Sequence, residues 1–137
     1  MDKDLTAADR MLKALADPTR LRIVGLLQDG EVCVCHIHDS LRIPQSKTSR
    51  HLAYLRKAGV VSGEKRGLWV YYRIAQQTSG VAQALLDAAR HSAAHVTTMR
   101  RDAQRLEGET GCCMPVHSGD GLPCCADQKR GPIVRRS

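Results

Sequence analysis

The chain has 137 residues, 42% of them hydrophobic but only 3% aromatic, and a formal net charge of +7. That length buries one modest core, and a core of Leu, Val, Ile, Ala and Met suits packed helices better than a sandwich of sheets. No apolar run approaches the roughly 20 residues of a membrane span, and Met1-Asp2-Lys3-Asp4 lacks the basic start and apolar stretch of a signal peptide, so the expectation is a cytoplasmic protein with no membrane partner.

Leu5, Ala8, Leu12, Leu15 and Ala16 recur at helical spacing and predict a first helix. Asp17-Pro18 offers a cap and a first-turn proline for a second, which carries Leu21, Val24 and Leu27 and stops at Asp29-Gly30. A third helix is expected from about Cys35 to Leu41, broken by Ile43-Pro44. A fourth is expected from about Gln45 to Ala58, with Thr48, Leu52, Leu55 and Ala58 on one stripe and Gly59 at its end. Two short helices joined by a tight turn, the second opening on Gln, Ser, Lys, Thr, Ser and Arg, form the pattern of a helix-turn-helix with its recognition helix.

Val60-Val61-Ser62 and Leu68 to Ile74 are rich in β-branched and aromatic residues and flank Lys65-Arg66-Gly67, which reads as a hairpin with a basic tip, a wing. Alternation along the second strand turns one of Tyr71 and Tyr72 to the core and leaves the other to reach backbone phosphate. From about Thr78 to Leu106, residues Val81, Ala82, Leu85, Leu86, Ala89, Ala93, Val96 and Met99 predict one long helix. So long a stripe exceeds the small core and is expected to bury itself against a second copy, making a homodimer through the terminal helices. Past Glu107 the composition turns to Gly, Pro, Ser and charge. The expected organisation is a DNA-binding and dimerisation domain over residues 1–106 and a flexible Cys-rich tail over 107–137. The fold class expected is mostly α with a small β-hairpin.

Charge placement points to the partner. From Arg42 to Arg73 eight basic residues stand against one acid, Glu64, so the whole net charge falls in that segment and the remainder sums to zero. A field concentrated on one short segment is what neutralising DNA phosphates requires. Gln45, Ser46, Lys47, Thr48, Ser49, Arg50 and His51 are expected to face DNA, with Lys65 and Arg66 at the wing tip.

Six cysteines in a reducing compartment suggest metal or redox chemistry rather than a disulfide framework. The densest stretch is Cys33-Val34-Cys35-His36-Ile37-His38. Helical residues two apart point about 200° apart, so Cys33 and Cys35 chelate one ion only if the helix starts late or deforms. Placing them at its amino-terminal edge satisfies this, and the helix dipole there favours thiolates. On this reading ion binding strains the first helix of the helix-turn-helix and repositions the reader. His38 is a candidate third ligand. The competing reading makes His36 and His38 exposed polar residues and the cysteines two small buried side chains.

Cys112-Cys113 and Cys124-Cys125 do not match the hooks of structural zinc, but vicinal thiolates select soft ions. The span from Leu106 to Cys112 reaches at most about 20 Å, which permits closure onto Cys33; the alternative is a dispensable appendage. Asp87, His91 and His95, at i, i+4 and i+8, are either a zinc site paired across a dimer or polar surface.

Ala14-Leu15-Ala16-Asp17-Pro18-Thr19-Arg20-Leu21-Arg22-Ile23, Glu31-Val32-Cys33-Val34-Cys35, Ser49-Arg50-His51-Leu52, Ala58-Gly59-Val60-Val61 and Gly67-Leu68-Trp69-Val70-Tyr71-Tyr72-Arg73 together resemble, in order, the signatures of the ArsR/SmtB family of metal-sensing repressors. The resemblance covers roughly Leu12 to Ile74. It implies a winged helix-turn-helix homodimer on an inverted-repeat operator in double-stranded DNA, released when an inducer occupies the cysteine pair. The wing is most similar to those of arsenical-resistance repressors answering to As(III) and Sb(III). Two residues depart from that pattern: His36 stands where the family has an acid, and His38 stands where many arsenic sensors carry a third cysteine, which leaves a tail cysteine as a substitute. Cadmium and lead sensors of the family add cysteines from an amino-terminal arm, and this sequence has none before Cys33. The family's zinc-sensor pattern is not matched by Asp87, His91 and His95.

The expectation is therefore a metalloid-responsive repressor, not an enzyme. The alternatives are a sensor of Cd(II), Pb(II) or Zn(II) using His38, or a thiol-redox protein. The last is disfavoured by the lack of Cys-x-x-Cys in a βαβ context and of a base beside a nucleophile.

Overall fold

The computed structural model describes residues 2–109. Helices α1 (Lys3–Leu15) and α2 (Pro18–Leu26) lead into a short strand β1 (Val32–Cys33), followed by α3 (Val34–Leu41) and α4 (Gln45–Lys57). Strands β2 (Val61–Arg66) and β3 (Trp69–Ile74) come next, then α5 (Gly80–His91), a 3-10 turn at Ser92–Ala94, and α6 (Thr97–Glu109). The three strands form one antiparallel sheet with β3 in the middle, Cys33 opposite Tyr71 on one side and Arg66 opposite Trp69 on the other.

Local chemistry sets the ends of these elements. Asp17 Oδ2 accepts from the backbone N–H groups of Thr19 (2.9 Å) and Arg20 (3.1 Å), and Pro18 occupies the first turn, so α2 starts where donors would otherwise be orphaned. Arg42 adopts a left-handed conformation (φ 62°) that ends α3 and lets Pro44 open α4 two residues later. Ile23, Val24, Leu27, Ile37, Leu41, Leu52, Leu55, Val60 and Val61 are fully buried and join α2, α3, α4 and the sheet in one core. Helix α5 lies along α1, with Ser79 Oγ donating to Asp4 Oδ1 at 3.0 Å.

The structure differs from the sequence reading in four places. The single long helix over 78–106 is two helices, and α6 turns back to pack on α2 and α3. The apolar stripe therefore divides: Ala82, Leu86 and Ala89 enter the main core, while Ala93 and Met99 close on α2 at Gly25, where an added Cβ would lie 3.3 Å from Ala93 Cβ and 2.6 Å from Met99 Cε. The length of the stripe thus gives no argument for a second copy. The hairpin turns at Gly67-Leu68, with Gly67 at φ 64°, so Arg66 closes β2 rather than capping the tip. Strand β1 is an addition that two residues of sequence do not announce. Finally, α6 runs to Glu109, past the expected boundary at 106. The remainder of the 107–137 tail, with Cys112, Cys113, Cys124 and Cys125, lies outside the described residues.

Candidate nucleic-acid interface and cysteine site

Helix α4 is seated by Thr48, Leu52 and Leu55, all buried, which leaves its other faces to solvent. Gln45, Ser46, Lys47, Ser49 and Arg50 are exposed, and α4 carries no acid to offset its charges. Thr48 points inward, its hydroxyl donating to the Pro44 carbonyl at 3.2 Å. His51 is half-buried and turned to the start of α2, its Nδ1 3.8 Å from Asp17 Oδ2. Burial raises the Asp17 pKa, but the Arg20 N–H, His51, the Arg20 charge and the Thr19 N–H outweigh it and hold the carboxyl below its ordinary value.

Ala53 and Tyr54, one helical turn after Arg50, complete the outward surface of α4. Tyr54 is 44% exposed and carries the Arg20 guanidinium 4.0 Å above its ring. Sequence reading stopped at His51, although helical spacing from Arg50 would have reached both.

The wing separates its two predicted contacts. Lys65 is exposed. Arg66 is instead held by carboxylates: Nη1 is 2.9 Å from Glu31 Oε1, while Nη2 is 2.5 Å from Glu31 Oε2 and 2.9 Å from Glu64 Oε1. Its guanidinium also stacks 4.8 Å from the Tyr71 ring centroid. The hydrogen bonds to Glu31, then those to Glu64, raise its pKa further above the ordinary arginine value. Of the two tyrosines, Tyr72 is buried and Tyr71 half-buried, and burial is the main cause of the raised Tyr71 pKa.

Cys33 ends β1 and is also the N-cap of α3, with extended backbone angles (φ −71°, ψ 145°), while Cys35 is the second helical residue. This late start brings the two buried sulfurs to 3.4 Å, beyond the roughly 2.05 Å of a covalent S–S bond. With metal–sulfur bonds of about 2.3 Å, sulfurs at 3.4 Å subtend an angle of about 95° at an ion between them. The late start is the first of the two conditions, a late start or a deformed helix, under which the sequence reading lets the two thiols face one ion.

No third ligand joins them among the described residues, where no group of three His, Cys, Asp or Glu side chains is placed to hold a metal. His38 is half-buried, and burial lowers its pKa against the pull of Asp39 and the Ile43 backbone. His36 is buried, not exposed as the competing sequence reading had it, because it faces the core at the start of α3. The break after His91 removes the spacing that aligned Asp87, His91 and His95. Asp87 instead accepts from Gln83 Nε2 at 2.9 Å and lies 3.5 Å from Arg90 Nη1.

A buried carboxylate that the sequence did not flag fixes α6. Asp102 accepts from Arg22 Nε (2.9 Å), Arg22 Nη2 (2.8 Å) and Arg105 Nη2 (2.9 Å). The same arginines donate to the last carbonyls of α3, Arg22 to Leu41 O at 3.1 Å and Arg105 to Ser40 O at 2.6 Å. Helix α6 is thereby tied to the carboxyl end of the first helix of the helix-turn-helix.

Residues 17–62, the segment from the cap of α2 through the start of β2, match the bacterial regulatory protein, arsR family. The chain is 44% identical over 81 residues to the arsenical resistance operon repressor of Escherichia coli K12, a match covering 58% of this chain and 69% of that protein. The chain belongs to the ArsR family. It is also 43% identical over 77 residues, 56% of its length, to the arsenic resistance transcriptional regulator ArsR1 of Pseudomonas putida, of which the match spans 60%. Among solved structures, the homodimeric winged helix-turn-helix DNA-binding domain of a possible ArsR-family transcriptional regulator from Mycobacterium bovis superposes with a TM-score of 0.55 at 32% identity, covering 66% of this chain and 82% of that one. The fold is a winged helix-turn-helix, with α3 and α4 as the helix pair and β2–β3 as the wing. The relatives are DNA-binding transcriptional regulators, which sets aside the reading as an enzyme. No helix of the described residues is long and apolar enough to cross a membrane.

Proposed function

We propose that this ArsR-family chain is a cytoplasmic transcriptional repressor that holds inverted-repeat operator DNA as a homodimer and releases it when trivalent arsenic or antimony binds Cys33 and Cys35. The observation that carries the reading is the position of the sulfur pair, 3.4 Å apart at the junction of β1 and α3. The angle of about 95° that this spacing subtends is short of tetrahedral and suits the near-right angles of a pyramidal trivalent centre better than a tetrahedral divalent ion.

The same junction touches both DNA-reading parts. Cys33 pairs with Tyr71 on β3, the inner strand of the wing, and caps α3, on which α4 packs. A backbone shift at Cys33 is therefore passed to the wing and to the reader together. Gln45, Ser46, Lys47, Ser49 and Arg50 meet the major groove from α4, and Lys65 reaches the flanking backbone. Leu5 and Leu12, seven residues apart on α1, and Val81 on α5 are exposed apolar residues that a two-fold copy would cover, setting two α4 helices on successive half-sites.

The test is a labelled duplex carrying the sequence upstream of the chain's own coding region, bound by protein reduced with a phosphine and titrated with arsenite, antimonite, Cd(II), Pb(II) and Zn(II). Arsenite and antimonite are expected to release it, and the C33S/C35S variant is expected to bind DNA but ignore both. Release by the divalent ions alone overturns the inducer assignment. Release of C33S/C35S by arsenite overturns the site.

A further inference from the structure

We propose that Leu68, at the tip of the wing, packs into the DNA minor groove flanking each half-site and selects A·T over G·C pairs there, by shape and apolar contact rather than by charge. The inference rests on the operator binding proposed above and adds to it a residue that determines specificity.

The hairpin explains where Leu68 stands but not why it is a leucine. Arg66 pairs with Trp69, so Gly67 and Leu68 alone connect β2 to β3. Gly67 is left-handed at φ 64° and Leu68 is not, the pattern of a II′ turn, which demands glycine at its first position and nothing apolar at its second. Leu68 adds nothing to the core either. It is 80% exposed, the most exposed large apolar residue among those described, while the next two residues, Trp69 and Val70, are half-buried against the core.

A single exposed leucine is ordinary on a protein surface, and it is the position of this one that singles it out. Lys65, opposite Val70, is exposed two residues before the turn. At about 3.3 Å per residue, the turn stands about 7 Å beyond Lys65 along the hairpin. The minor groove is about 7.5 Å deep and about 6 Å wide between its phosphate rims. With the Lys65 ammonium at a rim, the turn therefore reaches the groove floor. Helix α4 packs on β2, so the reading helix and the hairpin meet DNA as one unit, with the tip beside the base pairs that α4 covers.

The floor of the groove supplies the discrimination. An A·T pair presents only the recessed acceptors adenine N3 and thymine O2, whereas a G·C pair adds the 2-amino group of guanine. That group projects from the floor, where it would fill the space of the leucine side chain and lose its water without gaining an acceptor.

Two duplexes that differ only in the pairs flanking the half-sites, A·T in one and G·C in the other, test this with wild type, Leu68→Ala and Leu68→Met. The wild type is expected to bind the A·T duplex about fivefold or more tightly than the G·C duplex, and Leu68→Ala to bind both as the wild type binds G·C. Leu68→Met, apolar and of similar size, is expected to restore the preference. The salt slope is expected to be the same for all three proteins, because no charge is removed. Dimethyl sulfate footprinting reads the contact itself: the wild type is expected to protect adenine N3 in the flanks, and Leu68→Ala to lose that protection while keeping the protection of guanine N7 in the major groove beneath α4. An unchanged flank preference in Leu68→Ala, or adenine N3 protection that survives the substitution, overturns the proposal and leaves operator binding standing. Failure of the wild type to bind either duplex instead overturns the operator reading, and the role of Leu68 with it.

Discussion

Arg66, the last residue of β2, is joined by two hydrogen bonds to Glu31, two residues before Cys33. The ion pair links the wing to the strand bearing the sulfur pair, and it occupies the guanidinium that the basic tip seemed to offer to DNA. Its geometry makes Arg66 a brace and leaves Lys65 as the exposed wing residue proposed to contact phosphate.

Each phosphate neutralised contributes about 0.9 to the slope of log K against log salt. Lys65→Ala is therefore expected to lower the slope of operator binding by about 0.9, and Arg66→Ala to leave it nearly unchanged. Glu31→Gln takes one carboxylate from Arg66 and is expected to steepen the slope. Fluorescence anisotropy at four or five salt concentrations measures all three, and equal losses for Lys65→Ala and Arg66→Ala would show that the brace opens on DNA.

Asp102 presents a different kind of ion pair, because its carboxylate is buried while its arginine partners are partly exposed. Removing one partner of a buried pair costs about 3–5 kcal/mol, and the exposure of the arginines favours the lower end. Asp102→Ala is expected to destabilise the fold by about 3 kcal/mol and to loosen α6 from α3, read as a lower urea midpoint and faster amide exchange across Thr97–Glu109. A loss below about 0.5 kcal/mol would mean that apolar packing alone holds α6.

These two pairs also mark where the sequence stopped being legible. Helices α1 to α4 could be read because their signals are local: the Asp17-Pro18 start, the Ile43-Pro44 break, and the phase set by Leu52 and Leu55. The Cys33/Cys35 geometry was legible too, since the 200° argument demands a late helix start and Cys33 is the N-cap. Thr48 had been assigned both to the apolar stripe and to the DNA face, and the phase of Leu52 and Leu55 decides for the stripe. The break after His91 was hidden because Ala93, Val96 and Met99 continue the helical period across it. What turns the chain is the packing of α6 on α2 and α3, held by Asp102 and by an arginine 80 residues earlier. The pairing of Arg66 was hidden for the same reason, its partner Glu31 lying 35 residues away.

The apolar residues left on α1 bear on assembly. Leu12 is 53% exposed and Leu5 60%, so a charge at either site meets little of the protomer's own core. Leu12→Glu is expected to keep helical content while shifting the protein from dimer to monomer in sedimentation velocity, with operator affinity falling by at least tenfold as the paired half-site contact is lost. An undisturbed dimer would move the interface elsewhere.

His38 gives the fold a pH dependence of definite sign. Burial holds its pKa below the ordinary 6.5, only partly opposed by Asp39 and the Ile43 backbone, so near pH 6 the unfolded chain binds more protons than the folded one. The group costs nothing above about pH 7, and its penalty grows as pH falls through 6.5 toward the lower folded value. His38→Gln removes the titration and keeps a polar side chain. Its denaturation midpoint is expected to fall less than that of the wild type between pH 7.5 and 5.5. Parallel losses in the two proteins would show that His38 keeps its ordinary pKa in solution and that other groups govern the acid limb.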